Sequence, residues 1–159
     1  MKQNNLLLIL IGLFFFNCDI TNTESSLNIE PNIQYNTELS IHKENELIYI
    51  EIYDYPEIAG FQFELSTNGD LQINSLTTFG GAADENNFTV STGLANLIVL
   101  GFNFNGETIE SSHLTSNILL YLDIETEGSG SIGIDNVILS GENGYNIPIQ
   151  VESSLISIP

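Results

Sequence analysis

Beyond residue 33 and almost to the end of the chain, apolar side chains recur at every second position, and this spacing restricts the fold more than any other feature. A β-strand sends successive side chains to opposite faces, whereas an amphipathic helix needs a period near 3.6. Ile48, Ile50 and Ile52 share one face opposite Tyr49, Glu51 and Tyr53. Phe61, Phe63 and Leu65 alternate with Gln62 and Glu64, and Ile98, Leu100, Phe102 and Phe104 form a further apolar row with Gly101 and Asn103 on its far side. Ile118, Leu120, Leu122 and Ile124 are expected to face the core, with Tyr121, Asp123 and Glu125 turned away. Ile132 and Ile134 then give way to Val137 and Leu139, a change of phase that a bulge near Asn136 explains. Ile147, Ile149 and Val151 supply a late strand. Between these rows stand Asn68-Gly69, Gly80-Gly81, Asn105-Gly106, Gly128-Ser129-Gly130 and Asn143-Gly144, residues that accept the positive φ of tight turns. No segment combines an apolar period of 3.6 with helix caps. The expected class is all-β, one sandwich or barrel built from many short strands.

The first residues belong to something else. Lys2 precedes an unbroken apolar run over residues 6–16, followed by Asn17, Cys18 and Asp19. A short cationic start and an apolar stretch of this size read as a secretory signal. At about 1.5 Å per residue the run is far too short for a hydrocarbon core of about 30 Å. Cys18 is the only cysteine, so it can make no internal disulfide. Its position is similar to the lipobox of bacterial lipoproteins, in which the cysteine becomes the first mature residue and carries acyl chains; here Asn17 stands where a small residue is usual. The expected organisation is a signal peptide at 1–17, a polar tether at 18–33 and a β domain at 34–159. The expected location is outside the cytoplasm, lipid-anchored at Cys18 on the cell surface or in the periplasm.

Charge narrows the partners. There are 21 acidic residues against two basic ones, Lys2 and Lys43, with no arginine, for a net charge of -19. Gripping nucleic acid or an anionic membrane needs Lys or Arg to displace counterions, so both are excluded as partners. Such a field keeps an exported domain soluble and discourages self-association, which points to a monomer, and it attracts cations and basic partners.

No catalytic set can be assembled from the sequence. Gly128-Ser129-Gly130-Ser131-Ile132-Gly133 spells G-x-G-x-x-G, but a nucleotide loop must open a helix. Alternating Ile132 and Ile134 follow instead, so a hairpin turn is expected. Asp123, Glu125 and Glu127 imitate the start of a calcium loop, yet Ile134 stands where its bidentate Glu belongs. Asp84-Glu85-Asn86-Asn87 is the other candidate for calcium; no cofactor is expected. His42 and His113 are isolated, and no nucleophile–base–orienter set is visible. Tyr49, Tyr53 and Tyr55 lie on or just beyond one strand face and are the candidate ligand-contact aromatics, although tyrosines at a sheet edge with wet hydroxyls are the commoner arrangement.

The order of several short motifs carries a resemblance. A long alternating strand ends Tyr53-Asp54-Tyr55-Pro56, and Ile58-Ala59-Gly60-Phe61-Gln62-Phe63-Glu64-Leu65 follows. Then come Gly80-Gly81-Ala82-Ala83, Phe88-Thr89-Val90-Ser91, Val99-Leu100-Gly101-Phe102-Asn103-Phe104 and, near the end, Leu139-Ser140. Over roughly residues 38–159 this resembles the cohesin-like domains of exported bacterial proteins. The resemblance implies a jelly-roll sandwich or flattened barrel of about nine strands, related in fold to some carbohydrate-binding modules. Established cohesins bind dockerins, and no dockerin-contacting residue can be matched here. The resulting expectation is a non-catalytic, surface-tethered domain that binds a protein through one sheet face. The alternative is a carbohydrate-binding or adhesion lipoprotein on the same scaffold, and a third is a structural coat protein.

Overall fold

The computed structural model describes residues 33–152 and 155–159. The leader, Cys18 and the tether up to residue 32 lie outside the described residues. In chain order the elements are β1 (Glu38–Glu44), β2 (Leu47–Tyr55), β3 (Gly60–Gly69), β4 (Gln72–Phe79), a short helix α1 (Gly81–Glu85), β5 (Thr89–Gly93), β6 (Ile98–Phe102), β7 (Ser112–Glu127) and β8 (Gly130–Ser140). A 3-10 turn (Glu142–Gly144) and three short strands complete it: β9 (Asn146–Ile147), β10 (Gln150–Val151) and β11 (Ile156–Ile158). One sheet has the order β10-β1-β2-β7-β4; the other runs β11-β8-β3-β6-β5, with β9 beside β8. Among the described residues, β1 and β10 form the only parallel pair.

Strands consecutive in the chain mostly lie in different sheets. The chain leaves β2 for β3, returns to β4, and after β7 crosses again to β8. Such repeated crossing wraps two sheets around one apolar layer, the arrangement of a jelly-roll sandwich. The Gly128-Ser129-Gly130 segment is therefore a corner between sheets and not the expected hairpin. Glycine is required there by crowding: Gly128 has φ +84, and a Cβ on Gly128 or Gly130 would overlap the backbone carbonyls of Asp70 and Asn68. The Asp70 N–H donates to the Ser129 carbonyl across this corner at 3.1 Å. On another side, Thr92 Oγ1 of β5 donates to the Leu76 carbonyl of β4 at 2.8 Å, joining the two sheets along their edge.

The core is built largely from the predicted rows. Ile48, Ile50 and Ile52 of β2, Phe61, Phe63 and Leu65 of β3, and Ile132, Ile134 and Leu139 of β8 are all buried. Each such side chain contributes about 1.5–3 kcal/mol when taken from water. The bulge at Asn136 is present: Gln62 faces Ile138 while Glu64 faces Asp135, so Phe63 opposes two residues, and Asn136 has φ 49.

Three further expectations, about which residues the strands bury and how the last strand runs, fail. In β6 the core-facing residues are Val99, fully buried, and Gly101, over which the Phe61 ring lies; the row Ile98, Leu100, Phe102 faces outward and Phe104 is 79% exposed. In β7 a second bulge falls at Leu119, between the pairs Ile50–Leu120 and Glu51–Ile118. Both Leu119 and Leu120 are buried, and Ile118 is turned away from the core onto the outer face with Glu51. The late strand is divided at Pro148: β9 joins β8, and β10 joins β1 in the opposite sheet. Helix α1 also went unannounced, because five residues are too few to show a 3.6 period.

Candidate functional site

The register of the second sheet fixes what its outer face displays. Antiparallel partners share a face, so three rows cross the strands from β8 to β5. Ser140, Gly60, Phe102 and Thr89 form the first; Ile138, Gln62, Leu100 and Ser91 the second; Asp135, Glu64, Ile98 and Gly93 the third. Side chains that a core would welcome thus stand in water: Ile138 is 52% exposed and Leu100 39%. Phe102 and Phe104 meet edge to face with centroids 4.7 Å apart, extending the apolar area past the end of β6. Gly60 has no side chain to fill the middle, which leaves a shallow hollow of about 290 Å³ between Phe102, Leu100, Ile138 and Ser140. The third row is acidic, and Asn136 Nδ2 donates to Glu64 Oε2 at 2.7 Å, holding that carboxylate in place. Isolated exposed apolar residues are ordinary, but a contiguous apolar area with a polar rim is the usual form of a protein-binding surface.

This face was hidden from sequence reading because the alternation of β6 is symmetric in principle. Ile, Leu and Phe at 98, 100 and 102 look like the core side beside Val99 and Gly101. The signal lies on another strand, in Phe61, whose ring occupies the space that Gly101 leaves open and stacks 6.0 Å from Phe88.

The three tyrosines do not form a strip. Tyr49 is half-buried on the outer face of β2, stacked on His42 with centroids 5.3 Å apart. Tyr53 is half-buried on the same face. Tyr55 is 1% exposed, with its hydroxyl accepting from Asn117 Nδ2 at 3.2 Å. The cause is Asp54, whose φ of 50 turns the end of β2 inward. Burial pushes the Tyr55 hydroxyl above its usual range, as expected for a phenol enclosed in the core.

The two histidines do find partners, though not those of a catalytic site. Ser40 Oγ is 2.8 Å from His42 Nε2, and Glu51 lies 3.9 Å from that same nitrogen. A triad places nucleophile and carboxylate on opposite ring nitrogens, so this is not one. His113 Nδ1 donates to Asp54 Oδ1 at 2.7 Å, but among the described residues no Ser, Thr or Cys hydrogen-bonds its ring. Nor, among the described residues, do three or more His, Cys, Asp or Glu side chains gather as metal ligands. At the Asp84-Glu85-Asn86-Asn87 candidate, Asn103 Nδ2 lies within hydrogen-bond reach of the carbonyls of Asn86 and Asn87 and of Glu107 Oε2, sharing its two N–H donors among them and tying this loop to the segment after β6. Asp123, Glu125 and Glu127 alternate along β7 without converging.

No protein-family model matches the chain, and no curated protein matches its sequence. Solved structures do. A non-cellulosomal cohesin from the archaeon Archaeoglobus fulgidus is similar at 12% identity and TM-score 0.52, over 80% of this chain and 92% of that one. A type I cohesin–dockerin complex from Clostridium thermocellum is similar at 12% identity and TM-score 0.56, over 78% and 94%. The third ScaB cohesin of R. flavefaciens, solved in complex with a group 1 dockerin, gives 12% and 0.51, over 81% and 99%. The fold is a cohesin-like β-sandwich.

Proposed function

We propose that this chain is a non-catalytic binding domain, held at a membrane surface, that takes a protein partner on the outer face of the β8-β3-β6-β5 sheet. The observation that carries the reading is the outward row of Leu100, Phe102 and Ile138 around the Gly60 hollow. Burying these side chains against a partner gives the apolar centre of an interface, and Glu64 and Asp135 give it an acidic rim. A dockerin module is the first partner class to test, because two of the similar structures hold one. A partner with apolar anchors flanked by Lys or Arg fits the charge of this chain. The glycan alternative has no comparable support, since Tyr55 is withdrawn from the strip it required.

The test is capture of a specific protein partner by the immobilised chain, compared with its Leu100→Asp and Ile138→Asp variants. Both side chains point outward, so circular dichroism and the melting midpoint stay close to wild type while retention falls by about tenfold or more. Undiminished retention in both variants would overturn the assignment of the face. Export through the run at 6–16 and acylation of Cys18 are part of the same proposal. Fatty-acid label should enter the wild-type chain and be absent from Cys18→Ala; label persisting in the variant would remove the anchor.

A further inference from the structure

The five-stranded sheet turns its own outer face to solvent on the opposite side of the sandwich. The register aligns four rings across it, one on each of β1, β2, β7 and β4: His42, Tyr49, Tyr121 and Phe79. Their centroids are separated by 5.3, 6.1 and 5.3 Å in that order. His42 lies at 24° to Tyr49 and Phe79 at 16° to Tyr121, so within each pair the rings stand face to face. Stacking in this way covers one face of each paired ring with its neighbour. Beside the Tyr49–Tyr121 junction opens a hollow of about 310 Å³ with Leu47 and Ile118 as apolar walls and Glu44 at its edge. Register places Glu51 and Asp123 on the same face. Burial foremost, then the nearby Glu44 and Glu51 carboxylates, raise the Tyr49 hydroxyl above its usual range. The only Lys or Arg among the described residues is Lys43. It pairs with Ile48, on the opposite phase of β1 from His42 and Glu44. The hollow therefore combines apolar walls and several acceptors with no Lys or Arg among its lining residues.

We propose that this hollow is a second docking site that receives a lysine or arginine side chain from a basic segment of a polypeptide. The methylene stem would lie on Leu47 and Ile118, while the charged head reaches Glu44 and the phenolic oxygens, dividing the side chain as amphipathic cations divide themselves at other surfaces. An aminosugar has no such stem and would leave both apolar walls uncovered, so the structure favours polypeptide over glycan.

The test uses the full chain and a short fluorescent peptide alternating Lys and Ala. It is read by anisotropy at about 0.15 M salt, where screening over about 8 Å confines attraction to close contact. Glu44→Gln and Leu47→Ser should each weaken binding about fivefold or more, as expected for loss of a charge-assisted contact or of its apolar wall. Glu142→Gln removes the same charge from a distant turn and should change affinity by less than about twofold, because screened surface charges act weakly. Lys-acetylated peptide should not bind. Equal weakening by Glu142→Gln and Glu44→Gln would reduce the effect to net charge and overturn the proposal. So would absence of saturable binding, or displacement by a glucosamine oligomer at the peptide's own concentration. Leu100→Ser, on the other sheet, should leave the affinity unchanged; weakening equal to that of Leu47→Ser would move the peptide to the first face and sink this site without touching the first.

Discussion

The Asp54 carboxylate accepts from the backbone N–H groups of Asn36 and Leu114 at 2.8 and 3.0 Å and from His113 Nδ1 at 2.7 Å. It thereby ties the segment entering the domain to β2 and β7. These backbone donors, foremost, hold its pKa below the usual aspartate value of 3.8, against an opposing push from burial. A depressed folded-state pKa means stability that is fully present above about pH 4 and lost as pH falls through the lower folded value. Urea unfolding followed from neutral pH to about pH 2.5 should show wild type losing stability on the acid limb, with Asp54→Asn less stable at neutral pH and flatter below pH 4. Gly101 makes the complementary case, a residue that matters through what it lacks. An added Cβ there would overlap the Phe61 ring, so Gly101→Ala should cost about 1–3 kcal/mol by overpacking. Combining it with Phe61→Leu should recover part of that loss in denaturant titrations. Neither role is visible in one sequence, because each is defined by atoms from another strand.

At the scale of elements, strand identity follows from alternation, but the face each strand buries depends on its bulges. A single extra residue reverses every side chain beyond it. The Asn136 bulge could be read because apolar residues stand in opposite phases on its two sides, Ile132 and Ile134 before it, Val137 and Leu139 after. The Leu119 bulge could not, because Ile118, Leu119 and Leu120 form an unbroken apolar run with no phase to lose. Asn136 tolerates its φ of 49 where a β-branched residue does not. Asn136→Val should therefore destabilise by about 1–2 kcal/mol in urea titration, and Asn136→Gly by less. If the bulge also aims Ile138 outward, the Val variant should lose partner retention beyond what its stability loss explains.

For the whole molecule the dominant physical fact is a net charge of -19 with 21 acidic residues and only two lysines. Self-repulsion opposes the compact state, and salt screens it. The urea midpoint should rise between about 10 mM and 0.5 M sodium chloride, a Debye length falling from about 30 Å to under 10 Å. A midpoint that falls would show that attractive pairs outweigh the repulsion. The two apolar outer faces are separated by the core, so partner retention on one and basic-peptide binding on the other should vary independently under mutation.

Period-two alternation, turn residues and the order of the small motifs were enough to specify an all-β, cohesin-like sandwich, since each strand needs only local pattern to exist. The net charge of -19 was likewise legible at once, because it is a sum over residues and needs no geometry. Which side of β6 meets water, where β7 breaks step, and why Tyr55 turns inward were decided by tertiary structure alone. Each depends on a void or a hydrogen bond supplied across the fold: Phe61 over Gly101, Leu119 beside the Ile50–Leu120 pair, and Asp54 gathering donors from Asn36, His113 and Leu114. The alternation predicted strands and a sandwich; the face proposed for binding came from which half of that alternation the neighbouring strands left exposed.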